Sequence, residues 1–295
     1  MVDTRKEHIM RTEKEMFELI LNFAKADERI RAVVLNGSRA NPNAPCDQYQ
    51  DYDIVYVVKD FDTFTKDHSW IDIFGKRLIL QMPEAMRYPS GKGHFNWMML
   101  LDDGNRIDLT LIPIQKKELV DNDSLSITLL DKDGILPLFP KASDKDYIVK
   151  SPSELFFFSC CNNFWWCIQN VVKGLARDEI PHAMLMYHTV VRMELHDMMD
   201  WYIGAANDFS VSTGKMGKYY KRYLPERLYQ QYCDTYSNAA VEDIWKSLFV
   251  MCDLFHELTH VTAEFLGFTP KQEDEDGIRE YINLVKNDRL SSVDN

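Results

Sequence analysis

The chain has 295 residues, enough for one large domain or two ordinary ones. An apolar content of 45% with 12% aromatics excludes a disordered chain. A net charge of −12, split about −4 and −8 between residues 1–150 and 151–295, leaves no basic patch for a phosphate backbone, so nucleic acid is not an expected partner. No run of about 18 apolar residues exists, which excludes a helical membrane span. The acidic balance suits a cationic small substrate and plain solubility equally. The charged start MVDTRKEHIMRTEKEMF has no apolar signal core, and the six cysteines show no CxxC spacing. They read as reduced thiols of a cytoplasmic protein.

In chain order, residues 12–26 place Met16, Leu19, Ile20 and Phe23 at helical spacing, and Thr12 with Glu15 resembles a capping box. RAVVL (31–35) and YDIVYVV (52–58) read as short buried strands. Residues 62–74 read as a helix ended by Gly75, and KRLILQM (76–82) as a third strand. FNWMMLLDDGNRIDLTLIPI (95–114) is a hairpin around Asp-Asp-Gly-Asn, and ITLLDKDG (127–134) adds a last strand or turn. A sheet of about five strands is expected in this half. Residues 137–153 carry three prolines and many charges and mark a boundary, giving domains at 1–148 and 149–295.

After the boundary the pattern turns helical. Ser151 is the expected N-cap, with Pro152 at the first helical position and Glu154 three residues on, opening a long apolar helix. Pro181 opens a second helix through about Ala206, residues 207–217 form a loop, and residues 241–266 form a third long amphipathic helix. The segment 271–290 reads as an acidic loop with a short helix, a solvated cap. The fold class expected is α+β: a mixed-sheet domain followed by an α-helical bundle.

The chemistry concentrates at the second strand. Asp51, Asp53, Val55 and Val57 share one face of an alternating strand, so the two carboxylates can converge. In RIDLTLI, Arg106, Asp108 and Thr110 face one side, so Asp108 can join them if the strands are neighbours. Three carboxylates so placed repel one another, and a hard divalent cation such as Mg²⁺ with phosphate oxygens would resolve the repulsion. Gly37 and Ser38, just after a strand, permit close approach of a phosphate to backbone and hydroxyl.

The order strand, Gly37-Ser38, then Asp51-x-Asp53 on the next strand resembles the nucleotidyltransferase superfamily. LNGSRAN, QDYDIVYVV, RIDLTLIP, LLDKD, NVVKGLAR, GKMGKYYKRYL and WKSLF, spread from residue 35 to about 250, narrow the resemblance to the aminoglycoside 6-adenylyltransferases, which modify streptomycin. The resemblance implies a nucleotidyltransferase domain followed by a helical domain that closes over the nucleotide and shapes the acceptor pocket. It implies Mg²⁺-dependent transfer of AMP from ATP to a streptomycin hydroxyl, with release of pyrophosphate. Asp51, Asp53 and Asp108 would be the catalytic and metal-binding acids, Asp108 as metal ligand, as general base, or as both. Gly37 and Ser38 would hold the distal phosphates; Arg39 would help, or stands equally as a solvated loop arginine. Lys173, in VVKGL, and Lys215 and Lys218, in a glycine-bearing loop, are further nucleotide candidates; Lys173 reads equally as a lysine that snorkels to water, and a loop pair such as Lys215 and Lys218 is more often simply solvated. For the polycationic acceptor, Trp165, Asp178, Glu179 and Asp197 are the candidates, with Trp166 and Asp200 also available; Trp165 and Trp166 cannot share a helix face. Rival readings are another acceptor (a lincosamide, a different aminoglycoside or a protein) and a non-catalytic nucleotide-binding module.

One motif stands apart. HELTH (256–260) matches HExxH, in which His256 and His260 would share zinc and Glu257 would act as base, with Glu280 on offer as a third ligand. The helical wheel puts Asp253, His256, Glu257, His260 and Glu264 on one polar stripe, as on an ordinary surface helix. Ala263 stands where a metzincin needs glycine, and Gly277 interrupts the chain before Glu280, so zinc proteolysis is a distant alternative.

Overall fold

Helix α1 (Glu13–Ala26) starts where the sequence predicts, with Thr12 and Glu15 exchanging side-chain and backbone hydrogen bonds as a capping box. The computed structural model to which it belongs describes residues 9–120 and 123–287. The chain divides into two units, one ending at Asp146 and the other beginning at Tyr147.

The first unit is built on six strands rather than about five: β1 (Ile30–Asn36), β2 (Tyr52–Val58), β3 (Arg77–Gln81), β4 (Phe95–Leu101), β5 (Arg106–Pro113) and β6 (Ile127–Asp131), in the order β3-β4-β5-β2-β1-β6. β2 and β5 are parallel and every other neighbouring pair is antiparallel, so the sheet is mixed. The β4–β5 hairpin turns at Gly104, whose positive φ suits glycine. β2 is apolar on both faces after Asp53 because both are covered. Tyr52, Ile54, Tyr56 and Val58 pack with Met16, Ile20 and Ala24 of α1 and with Phe64 of α2 (Phe61–Lys66). Tyr56 also donates its hydroxyl to the carbonyl of Ile20 at 2.8 Å. Val55 and Val57 lie on the other face in a smaller cluster with Ala32, Val34, Ile112 and Val120. The helix expected over 62–74 is broken: α2 stops at Lys66, and Ser69–Phe74 winds as a tighter 3₁₀ helix up to Gly75.

The second unit is helical: α3 (Glu154–Ala176), α4 (Ile180–Met186), α5 (Arg192–Ala206), α6 (Tyr220–Tyr223), α7 (Glu226–Asp234), α8 (Val241–Leu266) and α9 (Gln272–Lys286). The cap of α3 is Ser153, not Ser151. Its backbone is extended and its hydroxyl accepts the N–H of Phe156 at 3.3 Å, so Pro152 lies before the helix and Glu154 is its first residue. The second long helix carries a π turn, Tyr187–Val191, between α4 and α5. Around it Tyr187 donates to the carbonyl of Thr235 at 2.7 Å, and the buried Arg192 donates to the same residue's hydroxyl at 2.8 Å and carbonyl at 2.9 Å. The acidic stretch near the C-terminus is not a loop. Glu273, Asp274 and Glu275 form the first turn of α9, where the helix dipole favours negative charge, and Ile282 anchors α9 in the core. The last residues of the 271–290 segment, 288–290, lie outside the described residues. Among the described residues no helix is long and apolar enough to cross a membrane.

Each unit has its own core, and that of the second centres on Phe164 stacked on Phe255, ring centroids 3.6 Å apart, with Trp165 edge-on to both. Phe255→Ala is expected to cost about 3–5 kcal/mol. Differential scanning calorimetry should show an early transition for the helical unit and an unmoved transition for the sheet unit; a shift of both together would mean that the cores are not energetically separate.

Candidate active site

The register of the sheet assembles the site. Asp53 of β2 lies directly beside Asp108 of β5 and, on the other flank, beside Asn36, the last residue of β1. Both acids therefore face the same side of the sheet, with Asp51 two residues before Asp53. Gly37 follows with φ +73, opening a short 3₁₀ turn, Gly37–Arg39. A Cβ on Gly37 would stand 2.9 Å from the Asp53 carboxyl carbon and closer still to its Oδ2. Only glycine lets the turn press its backbone against the carboxylate. Ser38 is held in that turn, its carbonyl accepting from Gln50 Nε2 at 3.2 Å and from the Asn41 N–H at 3.2 Å.

Positive charge has been placed to meet the acids. Arg106 grips Asp108 with two donors (Nε to Oδ1 2.8 Å, Nη2 to Oδ2 2.6 Å) and reaches Asp51 Oδ2 at 3.3 Å with Nη1. Its own pKa is raised, first by that hydrogen-bonded pairing. The compensation is incomplete: burial, opposed by Arg106 and reinforced by the charge of Asp108, still raises the Asp51 carboxyl above its ordinary range. A partly desolvated set of carboxylate oxygens on adjacent strands, short of positive charge, is the donor set that a hard divalent cation takes.

Arg39 has another task than the phosphate contact expected of it. Its side chain is only 6% exposed. It lies 3.8 Å over the Tyr52 ring and donates to the carbonyls of Gln50 and Asp51 at 2.8 and 3.1 Å and to Glu13 at 3.0 Å. It fixes the backbone on which Asp51 stands. Arg106 is the residue that the sequence reading left without a role, although its parity with Asp108 was visible. The same face continues through Thr110, which donates to Asn96 at 2.6 Å, and Asn96, which donates to Glu84 at 3.1 Å. Nothing local in the sequence joins Glu84 to that face. Beside the turn, a cleft of about 750 Å³ opens between Arg39–Pro42, Ser126–Thr128 and the apolar residues 136–140; none of the three acids lines it.

In the helical unit Lys173, Asp178 and Glu179 are exposed at one corner, where α3 turns into α4. Glu179 N–H donates to the carbonyl of Gly174 at 2.8 Å, and Asp178 takes a positive φ. Lys215 and Lys218 are exposed on the loop before α6. That loop leads into α6, whose Tyr220 donates its hydroxyl to the carbonyl of His196 on α5 at 3.2 Å; burial raises the pKa of the neighbouring Asp200, opposed by Thr213 and Tyr220. Asp197, one turn before, is exposed at the surface. The protein packed around it nevertheless desolvates the carboxyl, and with Glu194 and Asp200 repelling its charge pushes it up to about 6. Trp165 is a correction. It is 4% exposed and belongs to the core, whereas its neighbour Trp166 is 63% exposed and is the one of the pair that can meet a ligand.

The zinc-protease reading fails on its base. Glu257 is engaged by Arg227 of α7 (Nη1 to Oε2 3.0 Å, with a second bond from Nη2), away from the histidines, and Glu280 is not grouped with them.

The sequence profile of the streptomycin adenylyltransferase family matches residues 10–285. An aminoglycoside 6-adenylyltransferase of Bacillus subtilis is 42% identical over 280 residues, 94% of this chain and 98% of that protein. One of Campylobacter jejuni is 43% identical over 271 residues, 90% of this chain and 93% of that protein. A crystal structure of an aminoglycoside 6-adenyltransferase from Bacillus subtilis aligns with 94% of this chain and 99% of its own at 37% identity, with a TM-score of 0.47. The chain belongs to the streptomycin adenylyltransferase family and is an adenylyltransferase.

Proposed function

We propose that the protein transfers AMP from ATP to a hydroxyl of an aminoglycoside, the 6-hydroxyl of streptomycin, releasing pyrophosphate and conferring resistance. The observation that carries the chemistry is the convergence of Asp51, Asp53 and Asp108 on one sheet face beside the Gly37-Ser38 turn. The aminoglycoside comes from the names of relatives more than 40% identical over nine-tenths of the chain, and streptomycin from the name of the family whose profile matches.

Asp51 and Asp53 are the residues that would hold Mg²⁺. When bound, the ion neutralises and orients the triphosphate and stabilises the departing pyrophosphate. Asp108 is assigned to the cation rather than to the acceptor's proton, because Arg106 hydrogen-bonds both its oxygens and fixes the carboxylate beside Asp53. The backbone of Gly37 and the hydroxyl of Ser38 take the distal phosphates, with Arg39 holding the turn in place. Lys173, Lys215 and Lys218 are exposed ammonium groups available to the triphosphate. Asp178, Glu179 and Asp197 supply negative charge for a polycationic acceptor, with Trp166 rather than Trp165 as the exposed aromatic. Six free cysteines fit a reducing compartment, and the cytoplasm is the proposed location.

Pyrophosphate release from ATP and Mg²⁺ should depend on streptomycin and fall at least about a hundredfold in Asp53→Asn, since metal-borne charge stabilisation is worth several kcal/mol. Release with a different acceptor alone would keep the reaction and change the substrate. Tight ATP binding with no release for any acceptor would leave a binding module.

Gly37→Ala should lose activity by a comparable factor while the circular dichroism spectrum is retained, because the added methyl displaces the Asp53 carboxylate. Near-normal turnover in this variant would break the link between the turn and the acid.

Asp197 carries a charge only above about pH 6. The KM for streptomycin should therefore rise as pH falls through that value, by about two- to fivefold for an exposed pair, and this part of the profile should be absent in Asp197→Asn. Identical profiles for the two proteins would remove Asp197 from the acceptor site.

A further inference from the structure

We propose that His256, His260 and Glu275 form a binding site for a divalent transition-metal ion of the Zn²⁺ type, which fastens α9 to α8. His256 and His260 stand one turn apart on α8, ring centroids 4.3 Å from each other. Glu275 projects from the first turn of α9 and is only 6% exposed, and His256 Nδ1 lies 2.9 Å from its Oε2. One ligand atom from each of the three residues can be chosen so that all lie within 4.8 Å of one another. Two imidazole nitrogens and a carboxylate oxygen are a borderline donor set that suits zinc, with water completing a tetrahedron.

The surroundings are those of a supported ligand. The other oxygen of Glu275 accepts from Arg279 Nε at 2.7 Å, and Arg279 Nη1 donates to Asp253 Oδ1 at 2.8 Å. The chain Asp253–Arg279–Glu275 fixes the carboxylate, as outer hydrogen bonds do for metal ligands generally. In the metal-bound form the ion replaces the proton between His256 Nδ1 and Glu275, and each imidazole donates a ring-nitrogen lone pair. Metal–ligand bonds of about 2.0–2.2 Å set tetrahedral donors about 3.3 Å apart, so the His256 Nδ1–Glu275 pair opens slightly from 2.9 Å while the His260 nitrogen draws in. Glu275 is held, and the exposed His260 has the freedom to supply the movement. Glu257 is paired with Arg227, and the role assigned to the ion is to join α8 and α9.

The test is Zn²⁺ alone, titrated calorimetrically into the full chain, with His260→Ala and Glu275→Gln as variants and Cys46→Ser as the background, because Cys46 is the exposed thiol. With excess Mg²⁺ present to occupy the Asp51, Asp53 and Asp108 face, one equivalent of zinc should bind and raise the melting temperature of the helical unit, since only the folded site has the affinity. His260→Ala should weaken binding by at least about tenfold and abolish the rise, while leaving the metal-free melting temperature unchanged, because His260 is exposed. Glu275→Gln should also lose the ion, but it breaks the Arg279 pair and can lower stability by itself; His260→Ala therefore decides. Cobalt(II) in place of zinc should give the visible bands of a tetrahedral nitrogen–oxygen site. No stoichiometric zinc, or equal affinity in His260→Ala, would overturn the proposal.

Discussion

The first unit is organised around a repulsion. Asp53 and Asp108 are set side by side by the parallel pairing of β2 and β5, and Asp51 lies on the same face two residues back. A chain selected only for stability would not place three partly desolvated carboxylates there. Each neighbouring feature answers this crowding or tightens it. Gly37 brings backbone against Asp53, Arg106 spans Asp108 and Asp51, and Arg39 holds the carbonyls of Gln50 and Asp51, fixing the backbone that carries Asp51. Arg106 meets Asp51 and Asp108 with a single positive charge, and burial, reinforced by Asp108, raises the Asp51 carboxyl, so the face holds more negative charge than Arg106 neutralises. That deficit is what a cation and a polyphosphate can use, since a site already neutral would have little affinity for the ion.

The two units offer different kinds of constraint to the function proposed for them. A sheet fixes side chains at the spacing of its strands, which holds charges in a geometry that helices with independent rotations do not reproduce as rigidly. The helical unit instead presents acids and lysines at turns and on an exposed helix face: Lys173, Asp178 and Glu179 at the α3–α4 corner, Asp197 on α5, and Lys215 and Lys218 on the loop before α6, which Tyr220 ties to α5. Such groups can adjust to a flexible polycation or to a triphosphate.

Whatever depended on local periodicity was legible in the sequence. The alternation of 51–57 and 106–110 put three acids and Arg106 on one side, and the Gly37-Ser38 turn lay where the strand ended. What depended on distant partners was not. Arg39 looked like a loop arginine because its acceptors, Glu13, Gln50 and Asp51, come from outside its own turn. The phase of α3 was hidden for a different reason: Leu155, Phe156 and Trp166 are apolar yet exposed, so hydrophobicity alone could not say which of Trp165 and Trp166 faced the core. The start of α3 slipped by two residues because Ser151 and Ser153 are both competent caps, and only the extended backbone at Ser153 selects one. The 271–290 segment was misread because negative charge in a run suggests a solvated loop, whereas at a helix N-terminus the same charge is stabilising.

That last error bears on the HELTH motif. Two histidines at i and i+4 are brought together by helix geometry alone, so the pair is a real feature of any helix that carries it. The glutamate between them stands 100° around the helix from the first histidine, and its direction is set by what else packs there. Here Arg227 takes Glu257, and the carboxylate that completes a donor set comes from α9, whose acidic first turn is itself favoured by the helix dipole. The match to a protease pattern therefore separates into two physical statements. The histidine spacing makes a metal-binding pair, and the ion pair to Arg227 denies it a base.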